Sequence, residues 1–234
     1  MRGIRATLIV LIVLGALFVG ADRAAVYVAE NQAADKIRNS QGLSGTPDVS
    51  IKGFPFLTQI ADSRLDEVDV KLDGGITAES GGRSIRVSGF DARLHGVRIN
   101  SSFTSAVADR ASGTARISYE DLTKAVGEPG ATVGYAGQGQ TGKVKVTGHL
   151  KIMGQDIERS VISSVSIVDG NTVRVHADEI PAQGLPGVEE AVRKKTDFDR
   201  RITGLPKGLK LDKVEATPTG VDITLTGSDV NLAG

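Results

Sequence analysis

The chain has 234 residues, and its 28 Lys+Arg balance 28 Asp+Glu, so the formal net charge is zero. That balance excludes non-specific adhesion to nucleic acid, which needs a positive field, and a composition of 40% hydrophobic and 24% charged residues excludes wholesale disorder. The absence of Cys excludes disulfides, a thiolate nucleophile, Cys-ligated zinc and a lipid anchor on Cys.

Arg2 and Arg5 lead into an unbroken apolar run over residues 6–20. As a helix, those ~15 residues reach about 23 Å, short of a hydrocarbon core of about 30 Å. The run suits the apolar region of a signal peptide, with Val19, Gly20 and Ala21 as the small residues before a cleavage point. The rival reading is an uncleaved anchor prolonged through Ala24, Ala25, Val26 and Val28. In both, residues 1–21 are an address, the two arginines stay in the cytoplasm, and residues 22–234 are exported as a single domain.

Residues 22–39 predict a helix, with Ala25, Val26, Ala29, Ala33 and Ile37 as its apolar stripe and Gly42, Gly45 and Pro47 ending it. Thereafter the period is mostly two. Val68, Val70 and Leu72 alternate with acids and Lys71, and Val144, Val146, Leu150 and Ile152 alternate with polar residues, as do Val173, Val175 and Ala177. One wet and one buried face predicts an antiparallel sheet. In residues 83–99 the apolar phase slips at Gly89 and again at Gly96, which predicts one strongly curved strand or two joined by a kink. Residues 121–126 predict a short helix. Leu185-Pro186 opens a longer one, to about Ile202, with Val188, Ala191, Val192, Phe198 and Ile202 as its stripe. Two strands, 209–217 and 221–226, close the chain. The fold class is α+β: a long curved antiparallel sheet wrapping one or two helices.

Chemical motifs are sparse. Gly137, Gly139 and Gly142 fit a phosphate-loop spacing, but a strand follows where a helix N-terminus is needed, so the segment reads as a hairpin loop. His95, His149 and His176 lack the helical spacing of a zinc site and read as surface residues. No nucleophile elbow is present. These features predict no catalytic residue, metal or cofactor. The basic residues around Arg193, Lys194, Lys195, Arg200 and Arg201 are mixed with acids and read as a solvated face. The segment Gly53-Phe54-Pro55-Phe56-Leu57-Thr58-Gln59-Ile60 differs, because it concentrates aromatics around a proline that disfavours helix at Phe54. Alternation there would put Phe54 and Phe56 on one side and Leu57 on the other. The segment reads either as a plug of the core or as an apolar lip that touches lipid.

The order of these features resembles the LmeA-like phospholipid-binding family, an actinobacterial envelope family that includes lipomannan elongation factor A. The resemblance is carried by the exported N-terminus with its helix, by Gly53-Phe54-Pro55-Phe56-Leu57-Thr58-Gln59, and by Asp91-Ala92-Arg93-Leu94-His95-Gly96-Val97. It continues through Ser112-Gly113-Thr114, Tyr119-Glu120-Asp121-Leu122 and the turn Gly204-Leu205-Pro206-Lys207-Gly208-Leu209. It implies a phospholipid-binding fold in the style of tubular lipid-binding proteins, and a role in envelope or glycolipid biogenesis without catalytic residues to transfer.

A cupped sheet lined by Val, Ile, Leu, Ala and Gly leaves room for acyl chains. The expected lining is Phe54, Phe56, Leu57 and Ile60 at the rim, with Phe90, Leu94, Val97, Val192 and Phe198 further in. The expected function is therefore a non-enzymatic phospholipid- or glycolipid-binding protein on the outer face of the plasma membrane. Two other readings stand beside it: an enzyme or accessory of glycolipid assembly, marked by His95 or His149 clustering with carboxylates in one cleft, and a tethered structural domain with a filled core.

Overall fold

The computed structural model describes residues 2–40, 43–74, 76–80, 83–102, 105–126, 130–152, 155–179, 193, 197–203 and 205–232. It opens with one uninterrupted helix, α1 (Arg2–Ser40), rich in the Ala, Leu and Arg that favour helices. Its first half is long and apolar enough to cross a membrane and is wholly exposed. Burial begins abruptly at Asp22 and then recurs at helical spacing through Val26 and Ala34.

That second half lies against a six-stranded antiparallel sheet. The strands are β1 (Asp48–Lys52), β2 (Arg64–Leu72), β5 (Gly89–Ile99), β6 (Ala106–Ser118), β12 (Leu209–Thr217) and β13 (Gly220–Asn231), in the spatial order β1-β2-β5-β6-β13-β12. A short helix, α2 (Phe56–Ala61), bridges β1 and β2 beside the root of α1. Glu30 of α1 accepts the Ile51 N–H at 2.7 Å, so the helix occupies the otherwise unpaired edge of β1. The sheet thus packs against a long helix and a short one, as the alternation predicts.

The phase slip expected at Gly96 is shared by its neighbours. On β5, Phe90, Ala92 and Leu94 face inward before it and Val97 and Ile99 after it. On β2 the inward set passes from Leu65 to Val68, on β6 from Ala108 to Ala111, and on β13 from Leu225 to Val230. The registers set Asp66, Gly96, Asp109 and Asp229 in one row across these four strands. Gly96 (φ 61°) and Asp229 (φ 49°) take left-handed backbone there. Because all four strands flip their pleat in the same row, register survives and both halves keep apolar side chains on the concave face. The other slip, at Ser88-Gly89, separates β5 from β4 (Arg83–Val87), which leaves to form a hairpin with β3 (Ile76–Ser80).

A second sheet is a meander of β7 (Thr132–Tyr135), β8 (Lys143–Ile152), β9 (Gln155–Val168), β10 (Thr172–Glu179) and β11 (Phe198–Arg201). It docks on β12, where Leu211 N–H donates to Gly170 O at 2.7 Å. Helix α3 (Tyr119–Val126) follows β6, with Ser118 and Asp121 exchanging hydrogen bonds at its start. The glycine loop 137–142 is the β7–β8 hairpin connection.

The helix expected to run to Ile202 is corrected at its end. Asp197 N–H still bonds Arg193 O at 2.7 Å, as in a helical turn, but Phe198–Arg201 is strand β11 paired with β10. The Asp199 carboxylate is held by two bonds from Arg174 across that pair, at 2.8 and 2.7 Å, which braces the extended form that the ladder sets. Asp197 pairs with His176 at 2.7 Å and with Arg193 at 3.5 Å.

Candidate functional site

Two apolar clusters share the concave face of the six-stranded sheet. One joins α1 and α2 to β1, β2 and β5 through Val26, Val49, Phe56, Leu65, Val68 and Val97. The other joins β6, β12 and β13 to the second sheet through Ile117, Val144, Leu211, Val214, Val221, Ile223 and Leu225. From Ala108, a member of the first cluster, to Ala115, packed against the second, the inner face of β6 carries only small residues, with Ala111 and Gly113 between. The row Val70–Ala92–Gly113–Leu225 crosses four strands with its large residues outside and its small ones in the middle. Ala92 and Gly113 are only half-buried. Gly113 is also sterically required, because a Cβ there would lie 2.9 Å from Asp91 O. The apolar face is therefore low along β6 between the larger residues of β2 and β13, a trough that is covered at Ala108 and Ala111 and partly open at Ala92, Gly113 and Ala115.

The aromatic segment stands at one end of this face. Pro55 is extended (φ −76°, ψ 141°) and caps a helix, not a strand, so the governing period is 3.6. Phe56, Gln59 and Ile60 therefore turn inward together. The expectation that Phe54 and Phe56 share a side is overturned: Phe56 is 4% exposed, whereas Phe54 is 58% and Leu57 37% exposed. Gln59 secures the segment by donating to Lys52 O at 3.2 Å and accepting from Asp66 N–H at 2.9 Å.

The root of α1 meets α2 at the same place. Asp22 is fully buried, and its Oδ1 accepts the Leu57 N–H at 2.9 Å while Oδ2 accepts from Arg23 at 2.5 Å. The Arg23 guanidinium lies 5.3 Å above the Phe54 ring centroid. The expectations made from sequence alone did not include these two residues. Their signal was an acid and a base placed directly after an apolar run.

Of the other expected lining residues, Val97 is buried in the first cluster, with Ile60 and Leu94 packed against it. Phe90 is half-buried on the floor of the trough, opposite Leu72 and Ala115. Val192 lies outside the described residues, and Phe198 is placed only by its backbone, in β11. The groove beside β1 is of a different kind: about 210 Å³, lined by Glu30, Asp48, Lys52, Asp69 and Lys71, and charged throughout most of its wall.

The histidines occupy three strands of two sheets. His95 faces Glu67 at 3.2 Å, His176 faces Asp197, and His149 is on β8. Among the described residues no group of three His, Asp or Glu side chains is arranged to hold a metal ion.

A family model described as LmeA-like phospholipid-binding matches residues 20–226, which span both sheets, α2 and the packed half of α1. The chain belongs to this family. No curated protein and no solved structure matches it. The family match starts at the root of α1, where burial also starts, and it includes the whole of the trough along β6.

Proposed function

We propose that this protein is a membrane-tethered phospholipid-binding protein of the cell envelope, exported to the outer face of the plasma membrane, that holds acyl chains in the trough along β6 without performing chemistry on them. The observation that carries the reading is the patch of small residues at Ala92, Gly113 and Ala115, half-buried between larger apolar residues, in a chain of a phospholipid-binding family. Each methylene removed from water there contributes about 0.8 kcal/mol, so a long chain is retained without a charged anchor. A glycolipid with the same acyl chains satisfies the trough equally, and its sugar headgroup would remain outside.

Residues 22–234 act as one unit in this reading, and α1 is kept as the tether. The helix starts at Arg2, so its exposed stretch covers residues 3–21, about 19 residues and about 28 Å, apolar except near its start, where the long side chain of Arg5 reaches back to the headgroups. That approaches the ~30 Å hydrocarbon core more closely than the run from residue 6 does. Arg2 and Arg5 at the start favour a cytoplasmic N-terminus and an external domain.

The test is to extract the full chain from membranes in mild detergent and identify co-purifying lipids by mass spectrometry. Stoichiometric phospholipid or glycolipid is the expected result. Recovery of lipid-free protein that also fails to take up added phospholipid overturns the reading.

A further inference from the structure

We propose that the α2 end of the six-stranded sheet is a bilayer-contact face, in which Phe54 and Leu57 enter the boundary between headgroups and acyl chains and Asp22 is the latch that fixes this pose. The inference deepens the tethered reading above, and it rests on α1 lying in the bilayer.

Three observations point to a lipid surface as the occupant. First, the two exposed apolar side chains of the segment are held at the residue where α1 stops being free and starts being packed. Leu57 is bonded through its N–H to Asp22, and the Phe54 ring lies under Arg23. With residues 3–21 across the hydrocarbon core, both side chains fall at its edge. Second, the chemistry of that ring is interfacial. Arg23 is half-exposed and next to an aromatic face, and Tyr27, 67% exposed, stands one turn further out, at the depth where amphipathic aromatic rings concentrate. Third, Asp22 removes the freedom that would let the domain swing on its tether. A fully buried carboxylate on α1 that accepts a backbone N–H of α2 joins the two helices as one rigid corner. This corner joins the end of β1 to the start of β2, the edge of the sheet where Ile99 pairs with Ala106, so the trough along β6 has its Ala106 end toward the membrane and its Ser118 end away from it. Over the 13 residues of β6 that is about 43 Å.

The chain contains no Trp, so a single introduced indole reports its own depth. Full-length F54W, L14W and T219W are reconstituted into equimolar phosphatidylcholine and phosphatidylglycerol vesicles that carry brominated acyl chains. Thr219 lies in the β12–β13 turn, at the far end of the sheet. The expected result is that F54W and L14W both lose most of their emission while T219W keeps it. The contact face is overturned if L14W is quenched and F54W behaves like T219W; the tether then stands alone. If L14W is not quenched, α1 is not in the bilayer and both readings fail. Asp22→Ala in the F54W background should weaken F54W quenching with L14W quenching unchanged. Asp22→Asn, which can still accept the Leu57 N–H, should restore it. An unchanged F54W signal in Asp22→Ala removes the latch. Far-UV circular dichroism of each variant confirms that the fold is retained.

Discussion

Gly96 on β5 stands directly across from Asp109 on β6, at the row where four strands flip their pleat, and a Cβ on Gly96 would collide with the Asp109 carboxylate that Arg64 grips. Left-handed backbone and close approach coincide at this one residue. Gly96→Ala should therefore lower stability by roughly 1–2 kcal/mol from the backbone alone, with the collision adding to it. Gly89→Ala, at the other phase slip, meets nothing closer than 3.9 Å and needs no positive φ, so it should stay within about 0.5 kcal/mol of the parent. Urea midpoints of the two variants measure the difference; equal midpoints would remove the structural role of the row.

Phe54 and Phe56 should separate in the same kind of experiment. Phe56→Ala empties a packed position in the first cluster and should cost about 3–5 kcal/mol. Phe54→Ala removes an exposed ring and should leave the melting temperature nearly unchanged, while the vesicle affinity of residues 22–234, freed of the spanning stretch that would hold the full chain regardless, falls. Thermal melts paired with vesicle flotation check both halves.

How far the sequence alone could be read follows from the same residues. The alternation along β2, β8 and β10 was legible because one face of each strand is wet, and the slip at Gly96 was legible because a phase change in a strand shows directly in the apolar pattern. That the slip extends to Asp66, Asp109 and Asp229 was not, since it depends on which strands are neighbours. The Phe54–Phe56 relationship was not legible because alternation holds only if the chain stays extended past Pro55, whereas a proline caps a helix as readily as it prevents one. The spacing of Phe198 from Val192 fits a helix, and the ladder of β11 with β10, which no local pattern shows, overrides it. The small residues on the inner face of β6 were in plain view, but they mark a trough only once the larger residues of β2 and β13 flank them.

The second sheet should carry an acid-sensitive contribution at Asp178. Burial pushes this carboxyl up, but hydrogen bonds from Ser164 at 2.6 and 2.8 Å and the Lys143 ammonium at 2.9 Å outweigh it and hold it below its ordinary range. A lowered native value means that the stabilisation is complete above about pH 4, where the unfolded group is also ionised, and is lost as pH falls through the native value. Asp178→Asn should therefore reduce the acid-side loss of stability and lower stability near neutral pH. Urea midpoints between roughly pH 6 and pH 2 test this; parallel curves for parent and variant would exclude it.

Tyr119 should behave in the opposite sense. Burial, with Tyr135 and Asp222 nearby, pushes its phenol up to about 12, and its hydroxyl donates to Thr217 O at 2.7 Å. A raised native value gives stability that is intact below about pH 10 and lost as pH rises through the native one. Ultraviolet titration should show one of the three tyrosines ionising only near the alkaline unfolding transition. Tyr119→Phe should abolish that late step and cost about 0.5–1.5 kcal/mol for the lost hydrogen bond.

The trough itself is tested by filling it. Ala92 sits half-buried between Val70 and Gly113, at the middle of the row that is large outside and small inside. If the concave face were a solid core, Ala92→Leu would force its neighbours apart and cost about 1–3 kcal/mol. If the space is occupied by an acyl chain, the added side chain takes the place of methylenes instead of protein atoms. Ala92→Leu should then leave the melting temperature of delipidated protein unchanged or raised, and reduce the phospholipid that co-purifies or is taken up from vesicles. Lys145→Leu, on the second sheet and away from the trough, provides the control for added apolar surface. Differential scanning calorimetry and lipid mass spectrometry on the same preparations read both quantities. A destabilised Ala92→Leu that retains its full lipid complement would place the acyl chains elsewhere.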